Sequence, residues 1–393
     1  MRSIEIICYT SKLCNLRCKY CYELPLLGDK RRMSLQSIEA MFRSFKGFFD
    51  ASPEPLGVSF QWHGGEPMLI EPAFYWDIFE LQKRVFAGAS YPITNGVQSN
   101  FTQLDDERIR LLRDGFDLVG VSLDLFTGLR VNLAGVCQEQ RARINLKRAL
   151  DAGVRPGGIT VLSKLNMARI DDVYAFWRDL GFNFRVLPVE PGLYEAGQEF
   201  EIRADEVLHA LERLTDLWLA ETPPIVIEPI HTLMRSVLES AHHPDQARPR
   251  YDPLHWQSVV LVDTDGHVYG YNERLDQAFS SGNVFKQPFA EIAAGEPYRR
   301  NAERAQQRME SVCTGCEYFE KHCSGRMVAD GGVTALERNA QGGLDCIVTR
   351  GLFAHIERRL REGQVLHPEQ MALHPDYVAA QSAAPTQSSP AKG

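Results

Sequence analysis

The chain has 393 residues, with 43 basic and 51 acidic side chains, a net charge of −8, and 44% hydrophobic against 24% charged residues. That is the balance of a folded globular protein long enough for about two domains, and the acidic surplus argues against a nucleic-acid partner, whose phosphates call for clustered Lys and Arg. No apolar run approaches the ~18 residues of a spanning helix and the N-terminus carries no secretory signature, so no membrane partner is expected and the protein is read as cytoplasmic.

In chain order, short apolar segments are expected as strands over Ile4–Tyr9, Gly57–Trp62, Thr94–Gln98, Leu118–Leu123, Gly158–Leu162 and Phe184–Val189. Between them, amphipathic patterns predict helices over Leu35–Phe49, Phe74–Val85, Asp105–Asp114, Gln138–Ala152 and Asp171–Leu180. Alternating β and α units imply a parallel sheet, and six units suffice for an α/β fold of the partial (β/α)6, TIM-like barrel type. Sites in such sheets lie at the C-terminal ends of strands.

The rhythm changes after residue 225. A helical linker is expected over 226–255, then a smaller C-terminal α+β domain over 256–365. This domain opens on a hairpin, Ser258–Tyr271, turned at Asp265-Gly266. It continues with a helix ending near Met309 and a last helix over Val348–Arg361. Arg299, Arg300, Arg304 and Arg308 read as a solvated helix face. Residues 366–393, rich in Ala, Pro, Ser and Gln, are expected to be a disordered tail.

Seven of the nine cysteines fall in two groups, which in a reducing compartment point to metal before disulfides. Immediately past the first strand, Cys14, Cys18 and Cys21 are spaced CxxxCxxC. Three thiolates leave one iron of a [4Fe–4S] cluster open to an exogenous ligand; zinc is the alternative, though it usually takes four ligands. Cys313, Cys316, Cys323 and Cys346 form the second group. Four thiolates can ligate a cluster fully, for electron transfer or substrate anchoring, and the same spacing suits zinc. Cys8 and Cys137 read as small buried groups.

The first group resembles the signature of the radical S-adenosylmethionine (SAM) superfamily, CxxxCx(aromatic)C, with Tyr20 in the aromatic place. The resemblance implies that Cys14, Cys18 and Cys21 hold three irons while SAM chelates the fourth. It also implies reductive cleavage to a 5′-deoxyadenosyl radical that abstracts a substrate hydrogen. Further motifs follow in order. Gly64-Gly65-Glu66-Pro67 is similar to the superfamily's GGEP, which faces the SAM amine, and Gln98-Ser99-Asn100 to its Gln-Thr-Asn. Ser122-Leu123-Asp124 is similar to its Ser-Leu-Asp, which contacts the ribose, with Leu125 where a glycine is commoner. Ser163, Asn166 and Leu187 sit where relatives complete the carboxylate and adenine contacts.

Cys323-Ser324-Gly325 and the VDTDGHVYGYN hairpin resemble the cluster-binding SPASM extension of peptide-modifying relatives. Tyr271 replaces a ligand cysteine and Met327 stands four after Cys323, so one auxiliary [4Fe–4S] cluster is expected rather than two. The family resemblance implies a precursor peptide or small protein as substrate and a reduced flavodoxin- or ferredoxin-type electron donor. Within it, the WHGGEP segment is most similar to maturases that forge carbon–carbon cyclophane cross-links. The alternatives are a sulfatase-type maturase oxidising Ser or Cys to formylglycine and, in another class, a non-catalytic iron–sulfur carrier or regulator. With 13 residues before Cys14, no separate leader-binding module is expected there, and a leader is expected to add to a sheet edge. No general base stands out; Asp263, Glu190 and Tyr271 are candidates by location.

Overall fold

The computed structural model describes residues 2–189, 195–221, 225–254, 259–270, 277–329, 336–338 and 344–363. The barrel portion runs β1 (Arg2–Ser11), α1 (Leu35–Asp50), β2 (Leu56–Gly64), α2 (Pro72–Val85), β3 (Ile93–Ser99) and α3 (Asp106–Asp114). It continues with β4 (Leu118–Ser122), α4 (Glu139–Asp151), β5 (Gly157–Leu162), α5 (Ile170–Leu180), β6 (Phe184–Pro188) and α6 (Ala204–Glu221). All six expected strands and all five expected helices form. Their ends follow local chemistry: the Ser34 and Asp105 side chains cap the first turns of α1 and α3, accepting from Ser37 N and Arg108 N, and Gly181 ends α5 at φ 69°.

Strands β1 to β6 pair in parallel and in sequence order, so their C-terminal ends share one edge. Helix α1 buries Ile38, Met41, Phe42, Phe45 and Phe49, spaced for one helical face. Phe42 meets Phe60 of β2 edge-on with ring centroids 5.0 Å apart.

Two features differ from the sequence expectation. A two-residue strand, β7 (Ile227–Glu228), extends the sheet beside β6. On the other side, β8 (Val259–Val262) pairs in parallel with β1, followed antiparallel by β9 (His267–Gly270) and β10 (Gly282–Asn283). The C-terminal hairpin thus continues the barrel's sheet, giving ten strands in the order β10-β9-β8-β1-β2-β3-β4-β5-β6-β7. The reason is that β1, as the first barrel strand, offers an unpaired edge that an open barrel does not close.

The remaining elements are α7 (Ile230–His242), α8 (Phe289–Ala294), α9 (Glu296–Cys313), α10 (Arg326–Ala329), the hairpin β11 (Leu336–Arg338) and β12 (Leu344–Cys346), and α11 (Val348–Glu362). Helix α11 returns to the barrel and packs on α6 and α7, with His355 Nε2 2.9 Å from Asp216 Oδ1. Arg299, Arg300 and Arg304 are exposed on α9, and Arg308 is half-buried with its Nε donating to Val328 O at 2.9 Å. Cys8 is buried in β1, but Cys137 is exposed. The buried reading of Cys137 fails because its segment folds back as a surface turn, bridging Val131, before α4 begins. The tail 366–393, Glu190 and Tyr271 lie outside the described residues.

Candidate active site at the carboxyl edge of the sheet

The loop after β1 is held by its neighbours. Cys14 N donates to Leu27 O (3.2 Å), Arg17 N to Val131 O (2.7 Å) and Lys19 N to Leu129 O (3.1 Å). These bonds fold Cys14, Cys18 and Cys21 over the strand ends. Cys14 and Cys18 are buried and Cys21 half-buried. Each lies within the electrostatic reach of another, and burial pushes Cys14 and Cys21 up to about 12. Burial also raises Cys18, while Arg130 draws it down and Asp124 opposes Arg130.

The two glycines after β2 make this loop's seat. Gly65 N donates to Ser11 O and Glu66 N to Leu13 O, both at 2.9 Å. At Gly64, φ is +116° and a Cβ would meet Ser11 O at 2.1 Å; at Gly65 a Cβ would lie 2.3 Å from the carbonyl oxygens of Lys12 and Leu13. Only glycine permits that approach. Glu66 is buried and accepts from Met68 N, Ser99 Oγ and Asn100 N at 2.8 Å each. Burial raises its carboxyl and these bonds oppose the rise. Pro67 opens the turn that Glu66 caps.

The other predicted residues lie along the same edge. Gln98 Nε2 donates to Ser122 Oγ (2.7 Å), joining β3 to β4. Asn100 Nδ2 reaches Asn15 Oδ1 in the cysteine loop (3.0 Å). Past β5, Ser163 N donates to Asn166 Oδ1 (2.8 Å), and Asn166 Nδ2 to Val161 O (3.0 Å). Leu187 lies on β6 opposite Val161 and is half-buried. Asp124 is buried and accepts from Tyr20 Oη, from Arg130 Nε (2.7 Å) and Nη2 (3.2 Å), and from Val161 N (3.0 Å).

A second group lies on this edge, of which sequence reasoning flagged Asp263 alone, as a candidate base by location. Lys12 Nζ meets Asp263 Oδ2 at 2.7 Å, linking the exits of β1 and β8, and both residues are buried. Tyr9 and Tyr22 share a 2.8 Å hydrogen bond, and His63 stacks on Tyr9 with centroids 5.4 Å apart. Glu23 is buried with Oε1 unpartnered among the described residues, and burial pushes its carboxyl up to about 7. No spacing rule marks these residues. Tyr9 and His63 lie within β1 and β2, and Lys12, Tyr22 and Glu23 follow β1, so only their place near the exit edge of the sheet could have flagged them.

At the distal group, α9 ends on Cys313, the following turn carries Cys316 and Cys323, and β12 delivers Cys346. Cys313 feels Cys323, Cys346 and Cys316 together, and its thiol is pushed up to about 12, mainly by burial. The four cysteines therefore gather from three separate elements. Met327 is 43% exposed.

An open parallel barrel with a three-cysteine loop at its carboxyl edge defines the class of iron–sulfur enzymes that leave one iron open. Residues 8–176 match the Radical SAM superfamily model. The matched stretch takes in the end of β1, the cysteine loop and strands β2 to β5. This likeness to radical SAM enzymes marks the chain as an enzyme working with SAM and [4Fe–4S] chemistry. It is 24% identical over 332 residues to a serine-type anaerobic sulfatase-maturating enzyme of Bacteroides thetaiotaomicron, covering 78% of each chain. Among solved structures, it superposes on anSMEcpe with bound AdoMet and the Cp18Cys peptide at a TM-score of 0.71 and 17% identity. That match covers 92% of this chain and 98% of the other. It also resembles Streptococcus suis SuiB bound to its precursor peptide SuiA, at a TM-score of 0.54 and 16% identity, covering 76% and 66%. These structural likenesses establish the fold.

The donor sets suit iron–sulfur cofactors. Among the described residues, no three His, Cys, Asp or Glu side chains converge to share a single metal ion. A cubane asks for no such convergence, since each cysteine takes its own iron. Buried thiols that resist ionisation as bare groups need a cationic centre to hold them as thiolates. No helix among the described residues is long and apolar enough to cross a membrane.

Proposed function

We propose that this enzyme abstracts a side-chain hydrogen from a ribosomally made peptide and closes a carbon–carbon, cyclophane-type cross-link. Cys14, Cys18 and Cys21 would hold the cluster that presents SAM, which supplies a 5′-deoxyadenosyl radical when bound and reduced. The Gly64–Pro67 turn, Gln98, Asn100 and Ser122 would line the SAM site, with Ser163, Asn166 and Leu187 on its far side. The flavodoxin- or ferredoxin-type protein named above would supply the first electron.

The gathering of Cys313, Cys316, Cys323 and Cys346 carries the reading. Joining two carbons with loss of two hydrogens removes one hydrogen atom to the radical, then one proton and one electron. Cys313, Cys316, Cys323 and Cys346 would hold an auxiliary [4Fe–4S] cluster, fully ligated, which would supply an acceptor for that electron. Peptide complexes of anSMEcpe and SuiB support a peptide substrate.

Oxidation of Ser or Cys to formylglycine is the second reading, favoured by the likeness to the Bacteroides maturase over most of both chains. The test is anaerobic reconstitution with SAM and dithionite, beside a Cys14, Cys18, Cys21 triple Ala variant. It is followed by co-expression with a short peptide encoded beside the gene. The expected result is 5′-deoxyadenosine from wild type only, and a peptide two hydrogens lighter that does not react with hydrazide. A hydrazide-reactive product selects the formylglycine reading, and equal 5′-deoxyadenosine from the triple variant overturns both.

A further inference from the structure

The guanidinium of Arg130 faces two ways. Nε and Nη2 bind the two oxygens of Asp124 at 2.7 and 3.2 Å, while Nη1 lies 4.0 Å from Cys18 Sγ. The Arg130 side chain is 15% exposed and that of Asp124 is fully buried. Tyr20 packs against the guanidinium, 5.9 Å from ring centroid to Cζ, and donates to the same carboxylate oxygen as Nε. With Val161 N on the other oxygen, four donors meet the carboxylate's roughly four lone pairs. Asp124 therefore spends its acceptors on fixing Arg130, and a sugar hydroxyl could reach it only by displacing one of the chain's own donors.

We propose that Arg130 is a positioning residue that raises the reduction potential of the cluster at Cys14, Cys18 and Cys21, with Asp124 both aiming and moderating its charge. This rests on the assignment of those cysteines made above. Reduction adds negative charge to the cluster and its thiolates. A permanent cation against Cys18 favours the reduced form, and strongly so where water is excluded. Asp124 opposes that field, but its hold on Nε and Nη2 leaves the cation as the group facing the sulfur.

The two residues therefore shift the potential in opposite directions, which mere damage to the site would not do. The experiment is a redox titration of the full, anaerobically reconstituted chain, followed by electron paramagnetic resonance. The component to follow is the one whose spectrum changes when SAM is added, which separates it from a distal cluster. Arg130→Gln is expected to move the reduction equilibrium about tenfold or more toward the oxidised form, some 59 mV for one electron. Arg130→Lys is expected to keep most of the wild-type potential, and Asp124→Asn to raise it.

An unchanged potential in Arg130→Gln at full iron content overturns the proposal, as does a fall in both Arg130→Gln and Asp124→Asn. Should Arg130→Gln take up no iron, an Asp124→Asn potential at or below wild type overturns it. A wild-type chain with no SAM-sensitive signal contradicts the cysteine assignment instead.

Discussion

Lys12 and Asp263, 251 positions apart in sequence, form a 2.7 Å ion pair with both side chains at most 10% exposed. The pair locks the exit of β1, where the cysteine loop begins, to the exit of β8. Removing one partner strands a buried charge, which typically costs about 3–5 kcal/mol, whereas removing both spares that penalty. Lys12→Met and Asp263→Asn are each expected to lower the urea midpoint strongly. The double variant should lie well above their sum; simple additivity would show that the pair is not coupled.

Gly65 touches no ligand in sequence, yet its Cα sits where a methyl group would strike two carbonyl oxygens of the cysteine-loop entry. Gly65→Ala is therefore expected to displace that loop and to lose most of the iron bound near it, about four atoms per chain for one cubane. Iron and sulfide analysis on the reconstituted variant checks this, with the distal iron retained.

The pH dependence of stability is expected to carry a mark from His63, whose Nδ1 is buried without a partner among the described residues and whose burial lowers it to about 4 from an ordinary 6.5. A depressed pKa means that the unfolded chain takes up the proton first. Its stabilising contribution is complete above about 6.5 and drains away as pH falls toward 4. Between about pH 7 and pH 5 the loss would be about 2 kcal/mol. Urea titrations across that range should show the loss in wild type and not in His63→Phe, which keeps a ring stacked on Tyr9.

Loss of one distal ligand separates the two cysteine groups. Cys323→Ala is expected to halve the iron content from about eight to about four while SAM cleavage to 5′-deoxyadenosine persists. The oxidised peptide should fail to accumulate, because the electron released at the last step has no acceptor. Unchanged iron in that variant would assign the distal cysteines to another ligand.

Barrel elements were legible because buried parallel strands read as apolar runs and their helices as amphipathic stripes, as Phe60 and Trp62 against Phe42 illustrate. Ligand cysteines were legible because their spacing is set by local chain geometry. What escaped depended on pairing between distant segments. Two-residue β7 carries too little pattern to register, and nothing in Val259–Val262 announces that it will join β1 rather than found a sheet of its own. Lys12 carries no sequence signal, since its partner Asp263 arrives from 251 positions away, and Arg130, only six residues after Asp124, matches no spacing rule.

Because β8 hydrogen-bonds to β1 along Glu5 to Cys8, the two halves of this chain share a seam rather than a linker. Cutting the molecule near residue 225 would bare the edge of the very strand that leads into the cysteine loop, inviting edge-to-edge association. Exchanging the C-terminal part between relatives would mean transplanting that edge and its register as well. The portion that resembles an accessory module is thus built onto the barrel's own edge strand, so a new module could be grafted here only together with a matching edge.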